Sequence, residues 1–353
     1  MRRLPAILTA LGFAGLLMAG LWQAWAGLNE HRGRWAAQDW VGGAMGREIE
    51  RVLSQHSPWA APLQRGSRWL GWQVMGDLGP DVIAGCPGWL FYREEFVPPD
   101  WSALAQRLDA AARVQQRLAA RGIALVMLPV ADKARIESAH LCGLPRHPEL
   151  QTRLARIQAG LVQRGVAVAQ PDWRAPAPGP RYFRSDTHWN PEGSRLAARA
   201  VAEWVRAHQP HLARPPLAAW PLTEQEAAPA DLLRLTRLDG WPGLPPPESV
   251  PRWHIPAPPA PAASLLGDAP APAVLLVGSS YSRNARFADF LAAELGQSLA
   301  VVARDGAGFQ DSLAEALANP MMAESPPKLL IWEFAERAMT APLDSSAQAA
   351  LLR

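Results

Sequence analysis

The sequence predicts an α/β domain, a parallel sheet flanked by helices, behind an N-terminal membrane-anchor helix. Three observations carry that expectation. Strand-like and helix-like segments alternate along most of the chain, and such alternation argues for a parallel sheet. The runs Ile123–Val130 and Ala273–Val277 are short, unbroken and apolar, as in strands covered on both faces. Residues Leu4–Trp22 are almost wholly apolar, with Thr9 the one ordinary polar residue. A run of about 20 such residues is long enough to span a bilayer.

The chain starts with Met1-Arg2-Arg3. Arginines flanking an apolar span stay in the cytoplasm, so the remainder is translocated. The expectation is therefore a single pass through the inner membrane with the catalytic part in the periplasm. Trp22 and Trp25 stand where an interfacial aromatic belt would lie. Ala24-Trp25-Ala26 also resembles a signal-peptide cleavage site, but the apolar run is longer than a usual signal core. Residues 1–28 thus read as an anchor, 29–80 as a membrane-proximal helical stalk, 81–340 as the catalytic domain and 341–353 as a tail.

Pro87-Gly88 reads as a turn and Trp89-Leu90-Phe91-Tyr92 as a short strand. Asp100 caps a helix in which Leu104, Leu108, Ala111, Val114 and Leu118 recur at helical spacing, and Gly122 ends it. The strand Ile123–Val130 follows, with Asp132-Lys133-Ala134-Arg135 just past its carboxyl end. In open α/β sheets that edge carries sites, although a solvated charge cluster looks the same in sequence. A second helix runs from about Pro148 to Arg164, then a strand over Val166–Ala169. Pro191 opens a helix that reaches about His208. Residues 209–272 are proline-rich and lack clean periodicity, so they read as an extended excursion. The strand Ala273–Val277, a helix from about Arg286 to Leu295, and strands over Ser298–Ala303 and Lys328–Phe334 complete the alternation.

With 353 residues, 49% hydrophobic and 19% charged, the chain can bury one large core or two small ones. The net charge of +3 suits an anionic polymer or a membrane surface but is too weak to imply nucleic acid. No Lys/Arg block, zinc-ligand spacing or RNA-binding motif is present. Cys86 and Cys142 have no cysteine neighbour at metal spacing. In an exported domain they would pair as a disulfide; in a cytosolic one they would be core thiols.

Two stretches carry chemistry. Asp186-Thr187-His188 places an acid two residues from a histidine, and a carboxylate fixes the tautomer of such a base. Gly278-Ser279-Ser280-Tyr281-Ser282 follows a strand and precedes a helix. That arrangement exposes a serine hydroxyl beside backbone N–H groups able to hold an oxyanion. It lacks the G-x-S-x-G pattern of the nucleophile elbow and the lysine of a phosphate loop, and by itself it is equally a serine-rich helix cap. Gly308, in the glycine turn after Ala303, is a candidate for a further oxyanion N–H. No metal-ligand set stands at a recognisable spacing around His188.

Together these segments resemble the alginate O-acetyltransferase family of the AlgJ/AlgX type, periplasmic proteins with an SGNH-hydrolase-like domain. The resemblance spans about Gly85 to Arg337. It rests on Gly88-Trp89-Leu90-Phe91, Pro129-x-x-Asp132-Lys133-x-Arg135, Asp186-Thr187-His188-Trp189, Gly278-x-Ser280-Tyr281-Ser282 and Trp332-Glu333-x-x-Glu336-Arg337. It implies a catalytic triad of Ser280, His188 and Asp186, in an order circularly permuted relative to ordinary SGNH hydrolases. It implies Gly308 as oxyanion glycine, and the same motifs nominate Tyr281, Lys133, Arg135 and Arg337 as oxyanion or substrate-binding residues. No G-x-N-D block follows the strand ending at Trp332; Glu333-Phe334-Ala335-Glu336-Arg337 stands there instead. The implied activity is acetyl transfer, through an acetyl-serine, onto hydroxyls of an exported polysaccharide such as alginate or cellulose. No cofactor or metal is implied. The implied partner is a membrane-bound O-acyltransferase that delivers acetyl groups. A carbohydrate esterase or deacetylase, or a non-catalytic polysaccharide-binding scaffold, are the competing readings.

Overall fold

The computed structural model describes residues 60–176, 179–259 and 271–343, with scattered positions between 14 and 29. Contacts divide the chain into two units, residues 1–78 and 79–353. In the first, helix α1 (Ala60–Met75) falls in the segment read as a stalk. The anchor expected over residues 1–28 lies almost wholly outside the described residues, as do residues 30–59. No described helix is long and apolar enough to cross a membrane.

The second unit starts with an antiparallel hairpin, β1 (Val82–Ala84) and β2 (Leu90–Tyr92). Asp100 caps α2 (Trp101–Ala119), its carboxylate accepting from the N–H groups of Ser102 and Ala103 at 2.9 and 3.0 Å. Next come β3 (Ala124–Val130), the short α3 (Lys133–Ile136), α4 (Arg153–Gln163) and β4 (Ala167–Val168). Pro148–Gln151, expected within the helix of α4, forms a separate 3₁₀ turn before it. After α5 (Pro191–His208) the proline-rich excursion forms its own hairpin, β5 (Trp220–Ala227) and β6 (Ser249–His254), around the single-turn α6 (Asp231–Thr236). The chain returns through β7 (Val274–Gly278), α7 (Ser280–Arg283), α8 (Phe287–Leu295), β8 (Ala300–Ala303), α9 (Asp311–Ala318), α10 (Met321–Glu324) and β9 (Leu329–Ala335).

Five strands form one parallel sheet in the order β4-β3-β9-β7-β8. The alternation of each strand feeds two cores. Val126, Leu128, Val130, Leu276 and Ile331 face one side and pack with Val201 and Val205 of α5 and Phe290 and Leu291 of α8. Leu125, Met127, Leu275, Val277, Leu330 and Trp332 face the other, against Leu104 and Leu108 of α2, Ile157 and Leu161 of α4 and Leu313 of α9. Burial on both faces is why these strands read as continuous apolar runs. It also places every polar residue that follows β3, β7 and β9 along one edge of the sheet.

Cys86 and Cys142 form a disulfide with a sequence separation of 56. It ties the β1–β2 hairpin to the segment that follows α3, where Trp89 and Phe91 pack on Ala134 and Leu141. A cross-link of this span removes loop-closure entropy from the unfolded chain. We expect Cys142→Ser to lower stability by about 2–4 kcal/mol, read as a lower thermal midpoint that reductant reproduces in the native protein and leaves unchanged in the variant.

Candidate active site

The nucleophile turn starts where β7 ends. Ser279 caps α7, its hydroxyl accepting from the Tyr281 N–H at 3.3 Å, and Ser280 is the first helical residue. Beneath the turn, Glu333 on the neighbouring strand β9 is buried. Its carboxylate accepts from the Ser279 N–H and hydroxyl, both at 2.8 Å, and from the Ser282 N–H and hydroxyl at 3.1 and 2.7 Å. Burial pushes the Glu333 carboxyl above its ordinary value, against these four donors. Gly278 is required by the close approach: a Cβ there would collide with the Ser282 hydroxyl and the Glu333 carboxylate.

The acid–base loop runs from Arg181 to Asn190. It closes on itself through the Tyr182–Trp189 bridge and the Asn190 N–H to Arg181 carbonyl bond at 2.8 Å, with both aromatic rings fully buried. Asn190 then caps α5, accepting from the Gly193 N–H at 3.1 Å. The Glu137 carboxylate accepts from the N–H groups of Arg181 and Tyr182 at 2.6 and 3.2 Å. Lys133, the first residue of α3, reaches the same loop, donating to the carbonyls of Arg184 and Asp186, both at 2.9 Å, and to that of Leu90 on β2 at 2.6 Å.

The two stretches meet. His188 Nε2 lies 2.7 Å from Ser280 Oγ, and His188 Nδ1 lies 2.7 Å from Asp186 Oδ1. The His188 N–H also donates to Asp186 Oδ1 at 2.9 Å. Burial works to raise the Asp186 pKa, but the His188 hydrogen bond and charge and two backbone donors outweigh it, so the carboxyl titrates below its ordinary value. The buried Tyr281 ring stands edge-on to the imidazole at 4.9 Å, its hydroxyl donating to the Thr187 carbonyl at 3.0 Å.

A cleft of about 790 Å³ opens beside Ser280. Gly308 and Arg337 share its wall. The Gly308 N–H donates to Asp311 Oδ2 at 2.8 Å. Arg337 lies over the rings of Tyr92 and Tyr281 and 3.7 Å from Asp132 Oδ1. The other two cations differ from expectation. Lys133 is completely buried, its three carbonyl bonds engage its three donors, and burial brings its pKa down to about 8. Arg135 grips the Glu336 carboxylate at 2.9–3.1 Å and the carbonyls of Leu150 and Gln151. Neither lines the cleft. Both brace the loops, because the charges that follow two central strands are pressed against each other before they reach solvent.

Two neighbours of the triad carry no signal in the sequence. Asn284 Nδ2 donates to the Ser280 carbonyl at 3.0 Å and stands 3.2 Å from His188 Nε2. Asp231, from the excursion, places Oδ2 at 3.5 Å from His188 Nδ1. Asp186, His188 and Asp231 thus bring three ligand-type atoms within 4.8 Å. Nδ1, both Asp186 oxygens and one Asp231 oxygen are already hydrogen-bonded, which does not suit a metal ion.

Residues 82–336 match the family described as "SGNH hydrolase-like domain, acetyltransferase AlgX". A probable alginate O-acetylase AlgJ of Pseudomonas aeruginosa PAO1 is 32% identical over 292 residues, covering 76% of this chain and 72% of that protein. The alginate biosynthesis protein AlgX of Pseudomonas fluorescens is 33% identical over 161 residues, 43% of this chain and 32% of its own length. The solved O-acetyltransferase domain of Pseudomonas putida AlgJ matches with a TM-score of 0.65 at 28% identity, covering 77% of this chain and 99% of that domain. Pseudomonas aeruginosa AlgX matches with a TM-score of 0.58 at 26% identity, covering 77% of this chain and 65% of that one.

Glu333→Ala removes the acceptor shared by the Ser279 and Ser282 N–H groups and leaves these buried donors without it. We expect a loss of about 1–3 kcal/mol in stability. We also expect about a hundredfold loss in Ser280-dependent turnover, since a misplaced reacting group costs that much. Thermal unfolding and ester turnover measure the two effects separately.

Proposed function

The chain belongs to the family of SGNH hydrolase-like domains that includes the acetyltransferase AlgX, and from that premise we propose that it moves acetyl groups, through an acetyl-Ser280 ester, onto hydroxyls of an exported polysaccharide. The observation that carries the reading is the continuous line from Asp186 through His188 to Ser280, held at 2.7 Å at both steps and ending in an open cleft.

The chemistry follows from that line. Ser280 Oγ gives its proton to His188 Nε2 and attacks the acetyl carbonyl carbon, while Asp186 holds the Nδ1–H and balances the imidazolium. The Ser280 N–H opens α7, where no intrahelical acceptor exists, so it can meet the tetrahedral oxyanion. The Gly308 N–H becomes a second donor once it leaves Asp311. A preorganised oxyanion donor is worth about 10²–10³ in rate, which applies to the free Ser280 N–H. The leaving group takes the proton from Nε2 and departs. A sugar hydroxyl then gives its proton to Nε2, attacks the ester carbonyl and restores Ser280.

Alginate is the polymer in the names of the AlgJ and AlgX relatives, which makes it the first acceptor to offer. In this reading the domain works in the periplasm beside a membrane-bound O-acyltransferase that supplies acetyl groups, and the apolar N-terminal segment keeps the two close.

The test is intact-protein mass spectrometry of the full chain after incubation with a small activated acetyl ester. An acetyl adduct on the native protein that is absent from Ser280→Ala, and that is chased by added alginate, is the expected result. Absence of both an adduct and any Ser280-dependent ester turnover would overturn the proposal.

A further inference from the structure

Asp231 sits in the proline-rich excursion, yet its side chain reaches the catalytic histidine. Its backbone N–H donates to Asp186 Oδ2 at 2.8 Å, and its Oδ1 accepts from the Thr187 N–H at 2.6 Å. Its other oxygen stands 3.5 Å from His188 Nδ1. The Asp186–Thr187–His188 segment is therefore cross-braced by one residue from 44 positions away.

From this geometry we infer that Asp231 is a positioning residue of the triad, a second acid that stabilises the imidazolium form of His188. The inference rests on the His188 role proposed above. Two carboxylates held side by side repel each other, so the arrangement is costly around a neutral imidazole. It becomes favourable when a positive charge appears between them. That charge develops when Ser280 loses its proton, so the second acid favours the transition state over the resting state. The resting cost is visible on Asp231 itself, whose carboxyl is raised by burial and then by the charge of Asp186.

A purely mechanical role of the Asp231 side chain would use only the Thr187 bond, since its bond to Asp186 comes from the backbone. Asp231→Asn separates the two roles, because its amide oxygen keeps that acceptor while the charge is lost. The other groups that face His188 stay in place: Asp186 on its own loop, and Ser280, Tyr281 and Asn284 on or just after α7. Two cations touch these groups: Lys133 donates to the Asp186 carbonyl, and Arg337 lies over the Tyr281 ring.

The experiment is histidine NMR titration of the full-length Ser280→Ala protein with and without Asp231→Asn, beside ester turnover by the Asp231→Asn single variant. Loss of a nearby anion should move the His188 midpoint down by about 1 unit, a tenfold change in proton affinity. The acid limb of kcat/KM should move down with it, and the plateau of kcat should fall by about tenfold. Asp231→Ser, which keeps a hydroxyl acceptor without charge, repeats the measurement should the asparagine variant fail to fold. An unchanged His188 midpoint overturns the inference whether or not turnover falls. The titration needs no turnover, so it still reads Asp231 if the acetyl adduct on Ser280 does not form.

Discussion

The hydrogen bonds that converge on the Glu333 carboxylate set the geometry of the site. A charged group inside a parallel sheet is costly unless its oxygens are engaged. Here four donors from the Ser279–Ser282 turn engage them. The turn in return has few other ways to satisfy those groups. This mutual need ties the end of β7 to β9, forces glycine at position 278 and aims Ser280 away from the sheet. The turn therefore holds its shape without the second glycine of a G-x-S-x-G elbow, where Ser282 stands, because that serine bonds a carboxylate on the next strand.

Behind the turn, buried ions hold the other half of the site. Glu95 accepts from the Ala134 N–H at 2.7 Å, Arg153 pairs with Asp132, and Arg135 pairs with Glu336. Burial, followed by the charge of Asp132, pushes Glu95 up to about 7 and Glu336 up to about 8. These residues fix the ends of β3 and β9, and through Lys133 they fix the loop that carries Asp186. The placement of Asp186, His188 and Ser280 depends on this layer of buried charged side chains, of which Arg153 alone lines the cleft.

That layer explains where the sequence was legible. The apolar periodicity of β3, β7 and β9 and of α2 and α5 announces itself, because burial on fixed faces leaves a fixed spacing. The meeting of Asp186, His188 and Ser280 was legible as well: the acid and the histidine stand two residues apart, and Ser280 sits at a strand end. Lys133 and Arg135 were misleading because a charge buried for support and a charge offered to ligand look identical in a motif. Cys86 and Cys142 depended on compartment until their approach was seen. Asp231 had no signal at all, since only the path of an aperiodic excursion brings it to His188. Glu333 was read as a departure from the SGNH pattern, and its meaning needed the neighbouring strand.

The strand order has a consequence for assembly. β9 is the last described strand in the chain, yet it lies between β3 and β7. Until residues 329–335 are made, β4–β3 and β7–β8 can exist only as separate pairs, each with an unpaired edge open to wrong partners. Inserting a strand between two such pairs is a non-local and correspondingly slow closure. The same event delivers Glu333 beneath the serine turn. A chain in which β9 has not yet docked therefore holds Ser280 on an unsupported loop, and its hydroxyl takes its place only as the sheet closes.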